Sequence, residues 1–585
     1  MKYQIKKLLV NNFDVFEENK LSGRSYFIPF SSFNKASEVD ILNKRYKSDQ
    51  VNVISGQWKF KYYQNTSRLP GNIDTDKMSF DTVYVPSTWQ RTGYESPVYL
   101  NTRYEFPLTI PKVPDDMSIG VYVKKFNIIK PDNAIITFLG VCSSLTLYVN
   151  GKYVGYSEGS HNSAEFSLKG IATEGENELL AVVSKWCNGT YLECQDMFRE
   201  NGIFRDVYVT ENPDWYLYDY CVKTSEKDEK HDLGVSLELK GELSDKGEVN
   251  VKVIKDDTVL CESTSKAEET LNFNFTDLDV IKWNAEKPEL YKMYITLSEG
   301  EESVQCVQTN IGFKTVKIDK EKFLFNDKLI KFKGVNHHDT HESTGYVMTG
   351  EDLLKDITLM KQFNVNSVRT SHYPPDPMFI ELCDQYGLYV IDENNLESHG
   401  TRFMGEETPL IPDGMSIWTP SCMDRITSLY QRDKNHPSVI IWSLGNECSA
   451  GENFLKMHDY LNKVDPSRPV HYESIWGEKD RFEFNKNVTD IYSQMYPKPW
   501  DLEKDIKDHP EKPWMLCEFS HAMGNSVGGN YRYMELMDKY PCFFGVFVWD
   551  FVDQGVRIKK EGGGSFIGYG GDCGEYTHDG SFCGN

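Results

Sequence analysis

The rhythm of the sequence changes near residues 330–335, and that change limits the folds open to the chain. Before it, from about residue 50, short alternating strands are separated by turn signals, as in Leu145-Thr146-Leu147-Tyr148-Val149, Asn150-Gly151, then Lys152-Tyr153-Val154-Gly155-Tyr156. Asn-Gly between two such runs is a strong hairpin signal, because both residues tolerate the positive φ of a tight turn. This stretch reads as a jelly-roll β-sandwich. From about 215 to 315 strands recur at regular spacing (Gly234 to Leu239, Glu248 to Val253), the pattern of a smaller immunoglobulin-like sandwich. No cysteine pair brackets a tryptophan there, so its apolar core must hold it together. Beyond residue 335, helical runs such as Asp352 to Lys361 alternate with short apolar strands at 366–369 and 388–392, which indicates βα units and a parallel barrel.

The expected architecture is multidomain, β plus α/β. A jelly roll with an N-terminal extension spans 1–213, an immunoglobulin-like sandwich 214–315, and a (β/α)8 TIM barrel 316–585. The barrel has roughly the usual length of about 250 residues. It reads as incomplete at its C-terminus, since residues 561–585 are rich in Gly and Asp with no closing helix.

A net charge of −24 argues against nucleic acid and anionic membrane surfaces as partners. The first ten residues hold an apolar run of only three, and no 18-residue apolar stretch follows, so a cytoplasmic protein is expected. Thirteen scattered Cys, an odd number with no C-x-x-C pair, point to reduced core thiols. The 11 Trp, 34 Tyr and 32 Phe could serve as platforms for sugar rings, although large β cores account for most of them.

Chemistry enters at two strand ends. Ile440-Ile441-Trp442-Ser443 runs into Leu444-Gly445-Asn446-Glu447, and Trp514-Met515-Leu516-Cys517 delivers Glu518. Strand ends of a barrel carry catalytic groups. Two carboxylates so placed suit glycoside hydrolysis, one protonating the leaving oxygen and the other attacking or stabilising the anomeric carbon.

With Ser371-His372-Tyr373-Pro374, Glu397-Ser398-His399-Gly400, Glu518 to Asn525, Phe547-Val548-Trp549-Asp550, Val85 to Gln90 and Gln195-Asp196-Met197-Phe198-Arg199, these motifs resemble the large bacterial β-galactosidases of glycoside hydrolase family 2. The resemblance spans nearly the whole chain. It implies a retaining enzyme that removes terminal β-galactosyl residues from lactose-like substrates, with Glu518 as nucleophile and Glu447 as acid/base, their carboxylates about 5–5.5 Å apart. A strand-end glutamate, partly desolvated near other carboxylates, can hold its proton near neutral pH. The resemblance further implies that Asn446 bonds the sugar 2-hydroxyl, His521 reaches the 6-hydroxyl, and His338 and His372 donate to hydroxyls. Tyr496 serves Glu518, Trp549 floors the ring, and Asn101 and Asp196 visit from the jelly roll. Glu397, His399 and Glu447 are the implied ligands of magnesium, with manganese tolerated. Asp196, the Phe582 carbonyl and Asn585 are the implied ligands of sodium. For each residue the plain alternative is a core, rim or turn position.

Phe198 stands where the family usually has Trp, and the β domains that follow the barrel in the family are not in this sequence. A homo-oligomer or a complementing C-terminal polypeptide is therefore expected. Two alternatives stay open: a non-catalytic piece or large subunit, and another family activity such as β-glucuronidase or β-mannosidase. The glucuronidase pattern needs an Asn-x-Lys pair, and the matches here (Asn150 to Lys152, Asn250 to Lys252, Asn326 to Lys328) all precede the barrel's strand ends.

Overall fold

The computed structural model describes residues 1–402, 410–476, 482–524, 526–560 and 562–584. Its first sandwich packs a seven-stranded antiparallel sheet, running from Glu17–Glu18 through Lys152–Glu158, Ser144–Val149, Gly175–Ser184, Ile119–Ile128 and Gly56–Tyr63 to Asp81–Val85, against four strands. Those four are Ala164–Ser167, Ala134–Phe138, Val207–Glu211 and Val51–Val53. Trp58, Phe60, Phe138, Leu147, Phe166 and Val209 fill the space between the sheets. Asn150 (φ 51°) and Gly151 (φ 79°) make the tight turn that their residue types call for.

The second sandwich faces three strands (Trp215–Lys227, Lys230–Gly241, Thr270–Leu278) against five. The fifth is Pro29–Phe30, so the N-terminal extension is hydrogen-bonded into the edge of the second domain, where Phe30 pairs with Cys306. The thirteen cysteines are all free. Trp215, Val251, Met293 and Ile295 form the core without a cross-link.

Eight parallel strands follow: β1 (Phe332–His337), β2 (Ser367–Thr370), β3 (Tyr389–Glu393), β4 (Val439–Ser443), β5 (Val470–His471), β6 (Tyr492–Met495), β7 (Trp514–Phe519) and β8 (Phe543–Val548). They neighbour one another in the order β5-β4-β3-β2-β1-β8-β7-β6. A parallel bridge from His471 to Ile491 closes the ring between β5 and β6. The strands are nearly continuous apolar runs because both faces are covered: the inside by facing strands, the outside by helices such as Gly350–Gln362, whose Leu353, Ile357 and Met360 are buried. A three-stranded piece (Val316–Asp319, Lys322–Phe325, Lys328–Leu329) plugs the floor, with Phe323 stacked on Phe544 at 4.5 Å.

The expected lack of a closing helix is borne out among the described residues, and the strand ring itself is complete. β8 pairs with β1 and the ring is whole. The eighth outer helix is what differs: among the described residues beyond β8 there is an antiparallel pair, Val556–Lys559 with Ser565–Gly568, followed by turns. The segment Glu393-Asn394-Asn395, expected as loop, begins inside β3, so Glu393 is a buried strand-end residue.

Candidate active site

Because all eight strands run the same way, their last side chains surround one opening. Arg369, the penultimate residue of β2, lies at the centre and is fully buried. Its guanidinium donates to Glu393 (Nε to Oε2 2.7 Å, Nη2 to Oε1 2.9 Å), Asn336 Oδ1 (3.0 Å), Glu518 Oε1 (2.9 Å) and Asn446 Oδ1 (2.8 Å). A planar five-donor fork can do this and an ammonium cannot. Arg369 thus orients Glu518 from β7 and Asn446 from the loop after β4 against one another.

The other Glu518 oxygen, Oε2, accepts from Tyr496 Oη at 2.6 Å. Burial pushes the Glu518 carboxyl up to about 8, with Arg369 opposing and the Glu447 charge adding to the rise. Glu447 behaves in the opposite way. It sits at φ 37° with its N–H on Glu473 Oε1 (2.8 Å), and its Oε2 lies 2.7 Å from His399 Nδ1. Burial alone would raise it, but His399 and Arg402 outweigh burial and leave it below the usual carboxylate range. The sequence suggested a proton-holding Glu447; the imidazole contact reverses that balance in the resting pocket.

Glu397 is wholly buried, and burial together with Glu447 holds its carboxyl well above the usual range. Its Oε2 accepts from Asn446 Nδ2 (3.1 Å), while Oε1 has no hydrogen-bond partner among the described residues. One ligand atom from each of Glu397, His399 and Glu447 lies within 4.8 Å of the others. Two hard carboxylate oxygens, one of them an orphaned buried acceptor, and one imidazole form a donor set that fits a divalent cation.

On the opposite wall, His372 Nδ1 is 2.7 Å from Glu393 Oε1 and its ring stacks on Trp549 (5.1 Å, 8°). His338 Nδ1 is 3.1 Å from Tyr373 Oη, and the His338 ring meets both His372 and Trp549 edge-on. Burial holds both imidazoles well below their usual range, so they are neutral. His521 lies 6.5 Å from Trp549 and 4.9 Å from the Phe582 ring. The buried ring nitrogens His338 Nε2, His521 Nε2 and Trp549 Nε1 have no protein partner among the described residues. Buried polar atoms are normally hydrogen-bonded, so three such atoms on one wall suit a hydroxyl-rich ligand.

The jelly roll enters along the residues after its strand Val98–Leu100. Asn101 Oδ1 is 3.1 Å from His399 Nδ1. Asp196 accepts the Tyr99 hydroxyl; burial pushes its carboxyl up to about 7, with Tyr99 pulling the other way. Phe198 packs on Tyr99 at 5.6 Å, so the aromatic that departs from the family pattern still supports the residue holding Asp196. The two domains are joined by a parallel bridge between Glu193 and Glu397 and by Gln195 Nε2 on Asn395 Oδ1 (3.0 Å). Asn585, the third expected sodium ligand, lies outside the described residues.

Sequence reasoning missed Arg369, Glu393, Tyr99 and Glu473. For the first two a signal existed: a charged residue closing an otherwise buried strand is costly unless paired. The signal names the charge and not its partner.

Comparison with known proteins follows from this geometry. Three models of glycosyl hydrolases family 2 match end to end: the sugar binding domain over 51–213, the middle domain over 215–314 and the TIM barrel domain over 316–585. The chain is 38% identical over 603 residues to a β-galactosidase of Priestia megaterium and 39% identical over 595 residues to one of Halalkalibacterium halodurans, each alignment covering 98% of this chain and 57% of the relative. It thus spans a little over half the length of these curated relatives. Among solved structures, the β-glucuronidase of Ruminococcus gnavus superposes with a TM-score of 0.71 at 19% identity, covering 91% of this chain and 94% of that one. The β-glucuronidase of Bifidobacterium dentium complexed with coumarin-3-O-glucuronide gives 0.69 at 20%, covering 86% and 92%. At that identity the likeness concerns the fold alone.

Proposed function

Because the chain belongs to glycosyl hydrolase family 2, we propose that it is the catalytic part of a retaining β-galactosidase. Glu518, in its ionised form, attacks the anomeric carbon and Glu447, in its protonated form, protonates the departing oxygen, then deprotonates the water that releases the sugar. The resting pocket favours the proton on Glu518, so in the reacting complex that proton has to lie on Glu447 instead. The observation that carries this reading is the clamping of Glu518 between Arg369 and Tyr496, which fixes a carboxylate as a nucleophile and leaves Glu447 on the neighbouring rim. Relatives named β-galactosidase support galactose.

A glucuronide is the second reading, the substrate class named for the structural neighbours, whose likeness to this chain concerns the fold alone. Its carboxylate would enter a pocket already lined by Asp196, Glu397, Glu447 and Glu518, where the Arg369 guanidinium is taken up by two carboxylates. Asn150 and Lys152 lie in a jelly-roll hairpin and Asn326 and Lys328 in the floor piece, remote from the strand ends. A neutral hexose fits better: Asn446 for the 2-hydroxyl, the free ring nitrogens of His338 and His521 for others, and Trp549 beneath the ring.

Glu397, His399 and Glu447 would hold magnesium, or manganese, which supplies fixed positive charge beside the acid/base carboxylate. Asp196 and Phe582, with Asn585, are the corresponding candidates for sodium. We place the protein in the cytoplasm, consistent with thirteen unpaired cysteines and with no described helix long and apolar enough to cross a membrane. Self-association, or association with a complementing polypeptide, is supported by exposed Trp500, Val527, Tyr531 and Tyr576.

The test is covalent trapping. A 2-deoxy-2-fluoro-β-galactosyl fluoride should label the peptide carrying Glu518 and halt turnover of an aryl β-galactoside. A label on another carboxylate, or labelling by the glucuronyl analogue alone, refutes the assignment.

A further inference from the structure

The segment that ends the described chain reaches back to the jelly roll through an apolar cluster of Tyr569, Cys573, Phe582 and Cys583 with Tyr99 and Phe198, and through the polar contacts of Asp579 and its neighbour His578. Asp579 donates its N–H to the Tyr99 carbonyl (3.1 Å), while its Oδ2 accepts the N–H of Asn101 (2.8 Å) and, more weakly, that of Thr102 (3.4 Å). Its Oδ1 takes the Arg103 guanidinium, which also donates to the His578 carbonyl (2.7 Å). The segment is itself closed on the barrel side by a hydrogen bond from the Gly570 N–H to the Gly580 carbonyl (2.9 Å).

Two of the residues that Asp579 holds, Tyr99 and Asn101, continue into the pocket. The Tyr99 side chain donates to Asp196, and Asn101 Oδ1 lies 3.1 Å from His399 Nδ1, itself 2.7 Å from Glu447. Asn101 and Thr102 follow the last paired residue of the strand Val98–Leu100, so the sheet does not fix their backbone. Two successive N–H groups aimed at one carboxylate are a strong charge-assisted restraint on such a turn.

We propose that Asp579 is a positioning residue: by clamping the backbone of residues 99–103 it sets the place of Asn101 beside His399 and Glu447, and so tunes both the cation site and the acid/base group through a residue of the jelly roll. This rests on the functional reading above only for its catalytic arm. Asp579 touches neither the reacting carboxylates nor the cation ligands, so its effect is transmitted through Asn101. Groups one step removed from a cation site typically change its affinity by about 10–100-fold when removed.

The test compares Asp579→Ala, Asp579→Asn and Arg103→Met in the full chain. The alanine variant should weaken Mg2+ binding by about tenfold in a calorimetric titration. It should lower kcat on an aryl β-galactoside more than it raises KM, and speed amide exchange in residues 99–103 with little change in the melting profile. Asp579→Asn, which keeps an acceptor oxygen for the two N–H groups, should recover most of each loss. Arg103→Met, which removes a half-exposed ion pair and the hydrogen bond to the His578 carbonyl but leaves the Asp579 bonds to the Asn101 and Thr102 amides, should stay close to wild type. If the alanine variant does not fold, Asp579→Ser, whose shorter side chain does not reach the Asn101 amide, carries the same expectations. Unchanged Mg2+ affinity and exchange in the alanine variant, or equal losses in Asp579→Ala and Arg103→Met, overturn the proposal. A wild-type chain inactive on galactosides would count against the functional reading and leave the exchange and Mg2+ measurements to decide the clamp.

Discussion

Replacing Glu518, the proposed nucleophile, should stabilise the protein at neutral pH. Glu518 has an ordinary value of 4.5 and is pushed up to about 8, chiefly by burial. A carboxyl whose folded value lies above its unfolded value binds its proton more tightly when folded, so its contribution favours the native state at low pH and is lost progressively as pH rises from 4.5 towards 8. At pH 7 the interval above 4.5 is 2.5 units, and each unit corresponds to 1.36 kcal/mol, so the loss is about 3 kcal/mol. Glu518→Gln removes that term, while its amide can keep only one of the two acceptor positions facing Arg369 and Tyr496. The lost hydrogen bond costs about 1 kcal/mol, leaving a net gain of about 2 kcal/mol, or roughly 4–8 °C in the barrel's transition. The assay is thermal unfolding of wild type and Glu518→Gln, without divalent ions, at pH 7.5 and pH 5. The gain should be present at pH 7.5 and vanish or reverse at pH 5. A variant that melts at or below wild type at pH 7.5, or a gain independent of pH, would refute the reasoning.

The remaining expectations concern the same pocket. Arg369→Met leaves Glu393 and Glu518 buried without their cation and should cost about 3–5 kcal/mol along with nearly all turnover; Arg369→Lys should recover part of the stability and little of the activity, as read by denaturant titration and steady-state kinetics. Tyr496→Phe removes a hydrogen bond to a charged partner worth about 1.5–3 kcal/mol, so kcat should fall by roughly ten- to a hundredfold with a burst on activated aryl galactosides; an unchanged kcat would contradict the role. Chelation of divalent ions should lower kcat reversibly, with Mg2+ or Mn2+ restoring it, and Glu397→Gln should raise the concentration needed; activity indifferent to chelator would remove the cation from the mechanism.

The domain order was legible because strand and helix periodicity are local properties. Asn150-Gly151 needs no distant contact to make its turn, and the apolar runs at 439–443 and 514–517 announce buried parallel strands whatever they pair with. The two strand-end carboxylates were legible for the same reason. The insertion of Pro29–Phe30 into the second domain's sheet was not, since a two-residue strand has no period of its own and exists only because an edge is offered to it. Closure of the barrel was hidden too: it depends on β8 meeting β1 and on a single bridge at His471, contacts between residues far apart in the chain.

The sequence by itself determined the element types, the three-domain order and which polar residues stand at strand ends. Only the tertiary structure decided how those residues are charged and aimed. Glu447, in the loop after β4, and Glu518, inside the end of β7, are the same residue type at the same end of the barrel, yet their carboxyls move in opposite directions because one meets His399 while the other lies buried between Arg369 and Tyr496. The partners come from β2, from the loops after β3 and β6, and from the jelly roll through Asn101. Charge balance in a buried site depends on the separation of groups in space, and local sequence pattern does not encode that separation.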